Sequence, residues 1–141
     1  MSNNKIDLFF VQDSNLISIP NDNPQTGLQT TILSLPISTT GQPIKLDSMC
    51  SVQMIVDNLS DPVSYAIRYF LFRDNIQLVQ TLEVANLAAG VFGDIWVTPN
   101  FTWIDIPTKG THTYEVKIEV TAYNINGIVG FSRVLNAIQL V

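Results

Sequence analysis

Between Tyr114 and Ala122 the chain alternates without a break. Tyr114, Val116, Ile118, Val120 and Ala122 are apolar, while Glu115, Lys117, Glu119 and Thr121 between them are polar. Successive side chains of a strand point to opposite faces, so this pattern predicts a strand with one buried face and one wet face. A turn cluster, Pro107 to Gly110, leads into it. After it comes Tyr123-Asn124-Ile125-Asn126-Gly127, whose Asn-Gly pair predicts a tight hairpin.

The same logic extends along the chain. Thr31, Leu33, Leu35 and Ile37 alternate ahead of Gly41-Gln42-Pro43, and Val52, Met54 and Val56 ahead of Asn58 to Pro62. Tyr65 to Phe72 is apolar on both faces except at Arg68, which predicts a central strand covered on both sides. A turn at Arg73-Asp74-Asn75 separates it from Ile76 to Val84, and Phe101 to Ile106 and Val129 to Leu140 complete the set. The only helical candidate is a turn or two at Val84 to Ala89, broken by Gly90 and Gly93. Seven prolines spread through the chain punctuate strands rather than helices. The expected fold is all-β, a jelly-roll β-sandwich of roughly eight to ten strands.

A polar stretch at residues 20–27 sets off the N-terminus, so residues 1–26 are expected to be an arm and linker and 27–141 the sandwich domain. The arm is strongly β-prone. Ile6, Leu8, Phe9, Phe10, Val11, Leu16 and Ile17 either fold back as a strand of their own sandwich or add a strand to a neighbouring subunit, and they are the candidate subunit interface. Trp96, Phe101 and Trp103 lie close together in sequence and either pack between the sheets or form a ligand or interface site.

Charge is scarce: 13% of residues are charged against roughly 25% in a typical domain, and 46% are hydrophobic. Uncharged polar residues fill part of the surface, and another part is expected to be buried against copies of the same chain. A net charge of −5, with its seven basic residues scattered, argues against nucleic acid and anionic membrane as partners. No apolar run reaches the roughly 18 residues that span a bilayer, and the start of the chain lacks a signal peptide's apolar core. A soluble protein made inside a cell is expected, one that reaches the outside by lysis or assembly.

Catalytic equipment is thin. The single histidine, His112, would have to serve any Ser-His-Asp or Cys-His arrangement. With one cysteine, Cys50, a zinc site is out of reach, and so is an intrachain disulfide. Cys50 is either a small core residue or a cross-link between subunits. No phosphate-binding glycine loop or calcium loop occurs, and Asp57, Asp61, Asp74, Asp94 and Asp105 sit where aspartate stabilises turns and strand ends. Two glycosylation patterns, at Asn58 and Asn100, lack a secretory context. Neither enzymatic activity nor a cofactor is expected.

The passage from Phe101 to Val116 resembles a strand-turn-strand segment of spore-surface (exosporium-type) structural proteins of spore-forming bacteria, and Ser132 to Ile138 is similar to their closing segment. The plan, with a last strand running to the C-terminus, resembles the TNF/C1q-like jelly roll over about residues 28–141. The resemblance implies a structural role at the spore surface or in an appendage, in trimers or larger arrays, with itself and other surface-layer proteins as partners. The chain lacks both the collagen-like stalk and the cysteine-rich connectors found among such proteins. Two other functions fit a sandwich of this kind: a phage or virion fibre or decoration module, and a carbohydrate-binding module using Trp96 and Trp103.

Overall fold

A computed structural model describes residues 5–90 and 93–140. Ten strands run in order: β1 Ile6–Asp13, β2 Ile17–Ser18, β3 Thr30–Thr39, β4 Ile44–Val56, β5 Val63–Arg73, β6 Ile76–Leu87, β7 Ile95–Val97, β8 Asn100–Asp105, β9 Gly110–Tyr123 and β10 Ile125–Leu140. They form two antiparallel sheets. One has the order β1-β10-β4-β7, with β2 also on β10 and β8 also on β4, and the other has the order β3-β9-β5-β6. The chain crosses between sheets at β2–β3, β3–β4, β4–β5, β6–β7, β8–β9 and β9–β10, which is the weave of a jelly roll.

The alternating strand sits where its pattern requires. The apolar residues of β9, from Tyr114 to Ala122, are buried between the sheets, opposite Ile44, Leu46, Val52, Met54 and Leu135 of the other sheet's inner face. β5 lies between β9 and β6, so it is central as expected. Its outer face is covered only near its end, where Phe70 and Phe72 are buried and Lys117 lies 4.5 Å from the Phe72 ring. Pro36 is tolerated inside β3 because β3 is an edge strand. Asp74 and Asn75, at φ 48° and 66°, form the two-residue turn joining β5 to β6.

Two local expectations fail. Val84 to Leu87 is strand, not helix, because its backbone pairs along β5, with Val84 opposite Ala66 and Ala85 opposite Tyr65. A cross-strand ladder overrides weak helical propensity there. The Asn126-Gly127 hairpin is absent: β9 and β10 belong to different sheets. The chain turns at Asn124, with φ 63°, and Gly127 marks a register shift inside β10.

The N-terminal arm shares the body's sheet and core. β1 pairs with β10 from Ile6 opposite Leu140 to Asp13 opposite Arg133. Beyond β2, the Ile19 N–H donates to the Ile128 carbonyl and the Asp22 N–H to the Val120 carbonyl, so the arm passes from one sheet to the other. The Asn21 side chain stands in for a strand partner, accepting from the Ala122 N–H and donating to its carbonyl, both at 2.9 Å.

Candidate functional site

The two sheets turn different surfaces outward. On the β3-β9-β5-β6 sheet the outer positions of β9 are Glu115, Lys117, Glu119 and Thr121, and Arg68 of β5 lies opposite Glu119. This face also carries apolar residues: Leu82 and Val84 are exposed on the edge strand β6, and Ala66, Phe70 and Phe72 lie on the outer side of β5.

The other sheet exposes large apolar side chains outside, interleaved with polar ones. Pleating sends Ile6, Leu8 and Phe10 of β1 outward, and the register sets Leu140 beside Ile6 and Ile138 beside Leu8. Across four strands one row reads Leu8, Ile138, Lys45, Ile104, the next Phe10, Asn136, Asp47, Thr102, and a third Gln12, Val134, Met49, Asn100. Leu8 is 61% exposed and Phe10 58%. The charges here, Lys45 and Asp47, lie 3.6 Å apart and offset each other. Further along, Trp96 packs on Phe131 with ring centroids 5.1 Å apart. Ile6, Leu8 and Phe10 with Ile138 and Leu140 make a contiguous exposed apolar corner, the kind of patch that marks an interface.

The seven arm residues therefore divide. Ile6, Leu8 and Phe10 lie on this open face, and Leu16 is exposed at the corner before β2. Phe9, Val11 and Ile17 pack against the chain's own core. Ile17 also fixes a glycine: a Cβ at Gly130 would stand 2.9 Å from Ile17 Cγ1.

The three aromatics do not form one site. Trp96 points outward, in register with Gln53. Phe101 is buried, its ring 5.4 Å from that of Tyr69. Trp103, opposite Leu46, belongs to the inner face but stands at the sandwich margin and stays partly exposed. The outward contribution of Met49, Ile104, Phe131, Val134, Ile138 and Leu140 was hidden in sequence, because β10 and β4 carry apolar residues on both faces.

At one end of the sandwich lies a titratable cluster. Asp105 receives Arg73 Nη1 at 2.6 Å and the Tyr114 hydroxyl at 2.7 Å. Burial, then the hydrogen bond to Asp105, pushes the Tyr114 phenol up. Beside it, His112 Nδ1 is 2.6 Å from Asp74 Oδ2, while Nε2 is 2.8 Å from the Thr108 carbonyl and 3.3 Å from the Thr108 hydroxyl. Carboxylate, imidazole and hydroxyl in line have the outline of a nucleophilic triad. The nearer carbonyl works against it: with Nδ1 facing a carboxylate and Nε2 a carbonyl, the arrangement favours the protonated ring over a free base. A base needs a free lone pair on Nε2. His112 instead ties the β5–β6 turn to the loop before β9.

Cys50 is fully buried, and burial pushes its thiol up to about 11, so it is a core residue rather than an accessible thiolate. Among the described residues no group of three or more His, Cys, Asp or Glu side chains is placed to hold a metal ion, and no helix is long and apolar enough to cross a membrane.

No protein-family model matches the chain, and no curated protein does. Solved structures do resemble it. A mutant VP2 protein of infectious bursal disease virus, in derived T=1 particles, superposes with a TM-score of 0.52 at 12% identity, over 98% of this chain and 32% of that one. The structure of the Gx strain of the same virus gives 0.50 at 12% identity, over 96% and 38%. Eiger TNF from S. frugiperda gives 0.48 at 9% identity, over 96% and 93%. The chain spans about a third of the length of the viral proteins it matches. At such identities the likeness to the viral proteins is one of fold, and it agrees with the strand order: the chain is a jelly-roll β-sandwich.

Proposed function

We propose that this chain is a structural, self-associating subunit, joined to its copies through the outer face of the β1-β10-β4 sheet. The observation that carries the reading is the exposed apolar corner of Ile6, Leu8, Phe10, Ile138 and Leu140, in a chain with little charge to spare. Covering Ile6, Leu8, Phe10, Ile138 and Leu140 removes apolar area from water at about 25 cal/mol per Å2. A second copy of the same chain is the partner that brings a matching apolar face. The resemblance of Phe101 to Val116 and Ser132 to Ile138 to exosporium-type proteins supports a finer placement, in a spore surface layer or appendage.

Sedimentation velocity over a wide concentration range tests the assembly. The wild-type chain should form oligomers or fibres, and Leu8→Lys with Ile138→Lys should give a folded monomer with an unchanged circular dichroism spectrum. A wild-type chain that stays monomeric at high concentration overturns the reading. Immunogold labelling tests the placement: label on spores supports it, while label on phage or virion particles replaces it.

β1 pairs with its own β10 here, and exchange between copies would use the same ladder. Cysteines at the facing positions Leu8 and Ile138 separate the two arrangements. An intrachain disulfide shows self-pairing, and an interchain one shows exchange.

A further inference from the structure

At the far end of β10 from Ile6 and Leu140, the crossover from β9 to β10 builds a feature that assembly does not explain. Tyr123 is 57% exposed. It forms the wall between two recesses, a polar one of about 420 Å3 and a largely apolar one of about 390 Å3. Asp57, Asp61 and Asn23 line the first, and Val63 and Leu87 the second.

The polar recess offers exposed acceptors with free lone pairs on a fixed frame. The Asp57 carboxylate and Asn23 Oδ1 take no hydrogen bond among the described residues, and Asp61 uses one oxygen, accepting from Asn58 Nδ2 at 3.2 Å. The loop carrying them is held by Asn124. Its Nδ2 donates to the Asn58 carbonyl at 2.8 Å and to the Asp61 carbonyl at 3.1 Å, and its Oδ1 accepts from the Asn58 N–H at 2.9 Å. Asn23 is anchored through Nδ2 to the Ala122 carbonyl. A frame fixed before binding reduces the ordering cost of a ligand.

We infer that this recess binds a neutral saccharide, with the sugar's C–H face on the Tyr123 ring and its hydroxyls donating to Asp57, Asp61 and Asn23. The chemistry of the lining selects the class. Carboxylates and a net charge of −5 disfavour an anion. A cation would find only two carboxylates here, since no third His, Cys, Asp or Glu among the described residues joins them. An exposed aromatic ring beside hydrogen-bond acceptors in one recess matches a polyol with one apolar face. The inference is independent of the assembly reading, whose face lies at the other end of β10.

Saturation-transfer NMR tests it, with the methyl glycosides of glucose, galactose, mannose and N-acetylglucosamine at millimolar concentration and tetramethylammonium as a cationic control. At least one glycoside should receive saturation. Tyr123→Ala should weaken its binding about tenfold, Asp57→Asn should weaken it as well, and Trp96→Ala should leave it unchanged. Asp57→Asn decides alone if the tyrosine variant does not fold. Transfer to no glycoside, transfer to the cation alone, or transfer unchanged in Asp57→Asn and in a folded Tyr123→Ala overturns the inference.

Discussion

Arg133 Nη2 donates to Asp13 Oδ2 at 3.0 Å, clasping the end of β1 to β10 where their ladder finishes. The guanidinium is almost wholly buried. It also donates from Nε to the Ile32 carbonyl and from Nη1 to the carbonyls of Asn15 and Phe131, so one side chain joins β1, the arm corner, β3 and the register shift of β10. Arg133→Met leaves several of these acceptors unsatisfied and should cost about 3–5 kcal/mol. Asp13→Asn keeps the three carbonyl partners and should cost about 1 kcal/mol. Urea unfolding measures both, and amide exchange over residues 6–19 should quicken far more in the arginine variant. Equal costs would show that the carboxylate alone is the clasp.

Phe9 and Phe10 are neighbours that the pleat assigns to different tasks. Phe9 packs against the core opposite Ala137, while Phe10 lies on the outer face opposite Asn136. Phe9→Ala should destabilise the fold by about 2–3 kcal/mol, below the full-burial cost because the ring is only half-buried. Phe10→Ala should change stability by less than about 0.5 kcal/mol and weaken self-association. Thermal unfolding of dilute protein and sedimentation of concentrated protein separate the two effects.

The same pair marks the limit of what was legible in sequence. Period-two runs with one polar face, above all Tyr114 to Ala122, carry both strand identity and facing. Where both faces are apolar, as at Phe9-Phe10 or Val134-Leu135, the pattern gives a strand but not its orientation, which register alone decides. The three aromatics part for a related reason. Trp96 and Trp103 are seven residues apart, but they sit on separate strands, β7 and β8, and face opposite sides of the sheet. The Tyr123 recess joins residues from positions 23, 57, 61 and 123, a proximity that local spacing cannot reveal.

Asp22 organises the passage between arm and body. Its buried carboxylate accepts from the Thr26 hydroxyl at 2.5 Å and from the N–H groups of Thr26, Gly27 and Leu28. The Thr26 hydroxyl, helped by those backbone donors against the opposing effect of burial, holds its pKa at about 2, below the ordinary 3.8. A lowered folded-state value means that the stabilisation is present above 3.8 and is lost as pH falls toward 2. Asp22→Asn should lower the melting temperature at neutral pH and flatten its decline between about pH 4 and 2. A decline as steep as the wild type's would remove Asp22 as its source.

His112 gives the opposite slope at higher pH. Its hydrogen bond to Asp74, then that to the Thr108 carbonyl, raises its pKa above 6.5, against burial and the nearby Arg73 charge. Asp74 is correspondingly lowered, first by His112 and then by the Thr113 N–H. A raised folded-state value means that the histidine's contribution is complete below 6.5 and disappears as pH rises through the folded value. Above it Nε2 loses its proton and faces the Thr108 carbonyl lone pair to lone pair, so the turn at Asp74 and the loop before β9 should loosen together. The ring Hε1 resonance should titrate above 6.5, and the melting temperature should fall over the same interval. His112→Gln should lose that fall while keeping the sandwich. Titration at or below 6.5 would mean that the imidazole is not held as a cation between its two acceptors, and the latch would then be a neutral hydrogen bond to Asp74 alone.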